Sequence, residues 1–147
     1  MPYHESTYRV PYADTDQMGV VYYANYLEYF ERSRTEMLRD VGLPYSELER
    51  LGFYLPVREA HLQYHAGAHY DDLLIFRSLV SEARGARLTI ASEVRREAEI
   101  LVSGSVTLAC VNRERRITRL PPVILDAVRK LCADADRLNV QTSILEK

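Results

Sequence analysis

A chain of 147 residues, 47% hydrophobic and 27% charged, has the length of one domain and the composition of a folded one, which excludes disorder as its main state and leaves no material for a second core. Nineteen Lys and Arg against 21 Asp and Glu leave a net charge of -2 with no basic block to follow a phosphate backbone, so nucleic acid is not an expected partner. No run approaches the roughly 20 apolar residues of a membrane helix, and the start, MPYHESTYRV, lacks a signal-peptide pattern; a cytoplasmic protein without a membrane span is expected. Cys110 and Cys132 stand in apolar contexts without CxxC or metal spacing and read as free, buried thiols of a reducing compartment.

Residues 6–12 read as a first strand running into the turn-forming set Asp14, Thr15, Asp16 and Gly19. Leu27, Phe30, Met37, Leu38 and Val41 then recur near helical spacing, with Glu28 and Arg32, and Arg32 and Glu36, as supporting pairs four residues apart. Gly42 and Pro44 stop this longest helix, and a short helix over 45–51 ends at Gly52. The period changes to two over 55–64, 73–81, 88–94 and 100–111, four strands joined by turn residues at 67–72, 84–85 and 95–97 that suit antiparallel hairpins. Pro121 and Pro122 open a last helix with Ile124, Val128, Leu131, Ala135 and Leu138 on one stripe, and 139–147 reads as a tail to a single domain over 1–138. The fold class predicted is α+β: an antiparallel sheet of about five strands, one face covered by the only helix long enough to do so.

The stretch YADTDQMGVVYYANY brings two carboxylates, a glycine and a helix start into one short segment. A carboxylate ahead of a helix can act as general base on water or as nucleophile, and the first free amides of the helix can stabilise an oxyanion. The same residues also read as turn and capping groups, so the spacing by itself leaves both open.

The segment YRVPYADTDQMGVVYYANYLEYFERSRTEML, with HYDDLLIFRSLV and RITRLPP further on, closely resembles the signature of the 4-hydroxybenzoyl-CoA thioesterase family, including its Tol-Pal-associated acyl-CoA thioesterase branch, from about Tyr8 to Pro122. The resemblance implies the hotdog fold, an antiparallel sheet wrapped around one long central helix, in agreement with the element order. It implies Asp16 as catalytic carboxylate, the backbone N–H of Tyr23 as oxyanion donor, and Asp14 as a structural residue. The Tol-Pal branch commonly carries VYH where this chain has Val21, Tyr22 and Tyr23, so a mechanism needing an imidazole there loses its support, whereas a backbone donor does not depend on the side chain. The resemblance also implies a homodimer or homotetramer with sites at a subunit interface, His65 lying in the region that approaches the neighbouring site.

Eleven Tyr and no Trp make up most of the aromatic content, and seven of the Tyr fall within the first 29 residues. Tyr22 and Tyr26 are candidates for an acyl pocket, although aromatic stripes at helical spacing are more often core. Arg84 and Arg87 flank Gly85 and could hold coenzyme A phosphates or simply border a solvated turn. His61, His65 and His69 are spaced by four, but residues four apart in an extended chain lie roughly 13 Å from each other, too far to share one ion, so no metal site is expected. No GxSxG elbow and no Gly-rich phosphate loop is present in the sequence.

The function predicted is hydrolysis of an acyl-CoA, or acyl carrier protein, thioester to a carboxylic acid and free thiol. It requires a base, an oxyanion site and a leaving thiolate, hence no cofactor. The rival readings are a non-catalytic acyl-CoA binding module on the same fold and a hotdog dehydratase, which would need a His and acid pair the sequence does not offer.

Overall fold

The computed structural model describes residues 3–137, and their elements follow in the order β1 (His4–Arg9), a 3-10 turn (Tyr12–Asp14), α1 (Asn25–Asp40), α2 (Tyr45–Arg50), β2 (Val57–Tyr64), β3 (Leu73–Arg84), β4 (Arg87–Arg96), β5 (Glu99–Ala109) and α3 (Pro122–Arg137). The expected first strand is shorter at its carboxyl end because Pro11, which has no amide to give a ladder, begins the 3-10 turn. The expected tail at 139–147 and Leu138 lie outside the described residues.

The strands form one antiparallel sheet in the order β1-β3-β4-β5-β2. Two of the three expected hairpins are present, β3–β4 turning at Gly85 (φ +62°) and β4–β5 turning at Glu97 (φ +53°). The third is not. Segment 67–72 leaves edge strand β2 and crosses to β3, three places away in the sheet, because its backbone bonds go to the loop before α1: Val21 N–H donates to Ala68 O at 2.8 Å, and Val20 bridges His69. Gly67 permits this approach, since a Cβ there would sit 3.1 Å from Val20 Cγ1.

Along β3, β4 and β5 alternate residues Leu74, Phe76, Leu88, Ile90, Val94, Val102 and Val106 are buried beneath α1. The helix buries Tyr26, Tyr29, Phe30, Ser33, Met37 and Leu38. Leu27, expected on that stripe, is 46% exposed, and Tyr26 and Tyr29 take the inward places instead. Both can do so because each phenol finds a partner: Tyr29 donates to Asp14, and Tyr26 accepts the Ala68 amide. Of the two expected helix pairs, Glu28 meets Arg32 at 2.9 Å, whereas Glu36 turns to Arg39 at 3.3 Å. Polar atoms enter this core as one chain of hydroxyls, Ser33 to Ser78 to Ser92, each step 2.6 Å, which ties α1 to β3 and β4. On α3, Ile124 is buried and Val128 and Leu131 are half-buried, whereas Cys132, expected to be buried like Cys110, is exposed.

Candidate active site

The loop between the 3-10 turn and α1 is a tight reversal. Asp16 N–H donates to Val20 O at 2.9 Å, Gly19 N–H donates to Asp16 O at 3.0 Å, and Thr15 bridges Val21. Gly19 sits at φ +80°, a conformation that side chains disfavour, so a glycine is required for the chain to turn here. Asp16 is half-buried. Its Oδ1 accepts the Met18 amide at 2.8 Å, and Oδ2 accepts no hydrogen bond among the described residues. The carboxylate is thus held by one oxygen and presented by the other.

The chain then enters α1 through a 3-10-like turn in which Tyr22, Tyr23 and Ala24 carbonyls accept the Asn25, Tyr26 and Leu27 amides. The Tyr22 amide is taken by Asp14 O at 2.9 Å, and the Tyr23 and Ala24 amides donate to no group among the described residues. Free N–H groups at a helix amino end carry the positive end of its dipole and suit developing negative charge. One short segment supplies a presented carboxylate and open amides, the pair of tools that acyl transfer needs.

Asp14, two residues before Asp16, has the opposite surroundings. Its Oδ2 accepts the Tyr8 hydroxyl at 2.8 Å and the Tyr29 hydroxyl at 2.7 Å. Burial, and then the bond to Asp14, pushes the Tyr8 phenol up to about 12 and raises Tyr29 as well.

The other singled-out residues separate into two groups. Tyr22 and Tyr23 are 46% and 62% exposed with ring centroids 4.9 Å apart, and Tyr23 first, then desolvation and last the charge of Asp16, raise the Tyr22 phenol. Tyr26 is 2% exposed, with its ring packed edge-on against Tyr29 and Tyr64. His65 bonds Ser103 Oγ at 2.9 Å on the outer face of the same sheet end. Arg84 and Arg87 face each other across the β3–β4 turn, at the other end of the sheet from Asp16. There they line a cavity of about 240 Å³ together with Arg58. The three spaced histidines take separate partners, Glu59 for His61, Ser103 for His65, and Asp72 with Arg96 for His69. Among the described residues no three His, Cys, Asp or Glu converge as metal ligands.

Two contributors were not legible in the sequence. Tyr64, at the end of β2, packs its ring against Tyr23 and Tyr26 and donates its hydroxyl to Tyr23 O at 3.3 Å, in the turn that opens α1. Arg58 opens β2 beside a register shift, and no spacing links it to Arg84 or Arg87. Its position in the alternating strand was the sole signal for Tyr64.

A curved antiparallel sheet around one helix, with a presented carboxylate and open amides at the helix start, is the hotdog thioesterase architecture. The chain belongs to the thioesterase-like superfamily, whose family model matches residues 10–128. It is 39% identical over 107 residues to the acyl-CoA thioesterase YbgC of Haemophilus influenzae, covering 71% of this chain and 77% of that one. It is 38% identical over 107 residues to the acyl-CoA thioester hydrolase YbgC of Escherichia coli O157:H7, covering 71% and 78%. The crystal structure of the DHNA-CoA thioesterase of Staphylococcus aureus superposes with a TM-score of 0.85 at 25% identity, covering 97% of this chain and 98% of that one. No helix of the described residues is long and apolar enough to cross a membrane.

Proposed function

We propose that this chain hydrolyses acyl-CoA thioesters with Asp16 as its catalytic carboxylate. The observation that carries the reading is the Asp16 carboxylate, half-buried with one oxygen unengaged, on the loop that runs directly into the free amides of Tyr23 and Ala24. As general base, Asp16 takes a proton from water as the water oxygen attacks the thioester carbonyl carbon. The carbonyl electrons move to oxygen, where the Tyr23 amide donates to the oxyanion. Collapse breaks the C–S bond, and the proton held by Asp16 passes to the departing thiolate. As nucleophile, Asp16 would itself attack, expel the thiolate and be freed by water through a mixed anhydride. Tyr22, exposed beside the Asp16 loop, is assigned to the acyl group, and Tyr26, buried behind Tyr64, to the wall of its pocket.

The site is completed in a homodimer. β2 is an edge strand, exposed along almost its whole length, with Val57 and Tyr64 54% and 51% exposed at its two ends. Two-fold antiparallel pairing of two such edges sets the Tyr64 end of one β2 beside the Val57 end of the other. That brings a second copy's Arg58, Arg84 and Arg87 toward the Asp16 end, where guanidinium groups suit the coenzyme A phosphates, and His65 to the seam. The reaction is assigned to the cytoplasm, where coenzyme A thioesters are made and used.

The test is thiol release from acetyl-, hexanoyl-, lauroyl-, phenylacetyl- and 4-hydroxybenzoyl-CoA by wild type and Asp16→Asn, with the Cys110 and Cys132 background subtracted. The variant is expected to lose at least about 100-fold in kcat, the range of a positioned base, while still binding substrate. Wild-type turnover in the variant removes Asp16 from the chemistry. Binding without turnover by wild type across the panel, and on acyl carrier protein thioesters, makes the protein a binding module.

A further inference from the structure

We propose that Asp14 is the positioning residue of this site, a carboxylate gripped by two phenols that sets the Asp16 loop and the Tyr23 amide relative to each other; the proposal rests on the reading of Asp16 given above. Asp14 makes four side-chain or backbone bonds through two oxygens. Oδ2 accepts Tyr8 from β1 at 2.8 Å and Tyr29 from the second turn of α1 at 2.7 Å. Its backbone oxygen accepts the Tyr22 amide at 2.9 Å and Asn25 Nδ2 at 3.0 Å. Asp14 is thereby fixed to β1 and to α1 at once, beyond the bond from its amide to Pro11 O at 3.1 Å within the turn.

The consequence follows from chain connectivity. Asp16 is two residues after Asp14, and Tyr23 follows directly on Tyr22, whose amide Asp14 holds. Base and oxyanion donor are therefore each within two residues of an atom bonded to Asp14. Of the other anchors, the Met18 bond is internal to the Asp16 loop, Tyr64 holds Tyr23 alone, and the Asp16 N–H to Val20 O bond ties the loop to the segment before Tyr23; Asp14 adds to that short ladder a hold on β1 and on the body of α1.

The clamp is built to be stiff. Tyr29 is fully buried and stacks on Phe76 at 5.2 Å, and Tyr8 stacks on the same ring at 5.5 Å. Arg32 lies 4.8 Å from the Tyr8 ring centroid, closing the open side. Hydroxyl bonds to a carboxylate are charge-assisted and stronger than neutral ones. Burial first, and then the bond to and charge of Asp14, raise the Tyr8 and Tyr29 phenols, so each keeps the proton it donates to Asp14. A misplacement of about 1 Å between base and oxyanion donor is enough to cost on the order of 100-fold in rate.

The experiment removes the two hydroxyls and keeps both rings. Tyr8→Phe with Tyr29→Phe is compared with wild type, with Asp16→Asn and with Tyr45→Phe, using the acyl-CoA on which wild type turns over fastest. Tyr45→Phe deletes a hydroxyl bonded to the Leu55 amide at 3.0 Å, away from the Asp16 loop, and reports the effect of losing such a bond as structure alone. The expected result is a fall of about 10-fold or more in kcat for the double variant, with KM within about 3-fold and circular dichroism unchanged. Tyr45→Phe is expected to keep its kcat. A double variant with wild-type kcat, or a loss that Tyr45→Phe reproduces, overturns the clamp while an inactive Asp16→Asn leaves the base in place. An active Asp16→Asn overturns both.

Discussion

At one end of the sheet the chain gathers Asp14, Asp16, Tyr22, Tyr23 and Tyr64 around the start of α1; at the other, Arg58, Arg84 and Arg87 surround a cavity of about 240 Å³. Twelve-residue β3 separates the two, a span of roughly 35 Å at ~3.3 Å per residue. The first end is aromatic and acidic and holds its groups through a closed set of hydrogen bonds. The second is basic and open. A coenzyme A thioester needs both characters, a reaction centre for its acyl end and cations for its phosphates, and one chain holds them too far apart to use together. The two-fold pairing of β2 edges proposed above would resolve this, because antiparallel strands put unlike ends side by side. The distance inside one subunit is thus an argument for two.

The largest way to break this arrangement lies at Gly104, on β5 opposite Leu62 of β2. A Cβ there would drive into the His61 carbonyl and press on the Leu62 Cα, and backbone cannot swing aside as a long side chain can. Gly104→Ala is expected to cost about 3 kcal/mol or more, or to detach β2 from the sheet, in the class of severe steric substitutions. Urea unfolding checks the cost and analytical ultracentrifugation the proposed dimer: wild-type stability overturns the clash, and a destabilised variant that associates as wild type does removes β2 as the proposed seam. A smaller effect is expected at the basic end. Arg84→Ala with Arg87→Ala should raise KM for acyl-CoA about 10-fold, roughly 1.4 kcal/mol, with kcat little changed, since phosphate contacts made equally in ground and transition states act on binding. The same variant should leave hydrolysis of a short acyl thioester lacking the nucleotide unaffected. Equal losses on both substrates would place these arginines in the fold and not on the phosphates.

How far the sequence carried these features depended on how local each was. α1, the strand alternation of β3 to β5 and the DTD loop are set by neighbouring residues, so period and turn chemistry revealed them. The 67–72 segment misled because its residues favour a turn, while its actual path is fixed by Val20 and Val21, far away in the sequence. The helical spacing of Tyr26 and Tyr29 allowed a core reading, but the partners that admit their hydroxyls were hidden for a similar reason. A phenol enters a core where a distant acceptor or donor waits for it, and neither Asp14 nor the Ala68 amide announces itself from the helix pattern. The two carboxylates of the DTD triplet look alike in sequence and differ only through partners that the fold delivers.

That difference gives the smallest of the expected effects, a pH dependence of stability confined to the Asp16 end. In the folded chain the Tyr8 phenol is pushed up to about 12 from an ordinary 10.0, by burial first and then by the bond to and charge of Asp14, and Tyr29 moves the same way. A raised pKa means that the folded state holds the proton more tightly than the unfolded one. Below pH 10 both states keep the phenol protons and the clamp's contribution is complete. Between pH 10 and about 12 the unfolded chain releases its protons while folded Tyr8 keeps its own, so the contribution drains away as pH rises through that window. Wild type and the Tyr8→Phe, Tyr29→Phe variant, unfolded in urea at a series of pH values, should differ by a constant amount up to about pH 9.5 and converge toward about pH 12. Other tyrosines titrate in both proteins and cancel in the difference. A gap that stays flat through pH 12 would mean that neither burial nor Asp14 holds the phenol protons, and the contrast between the two carboxylates would then be one of geometry alone.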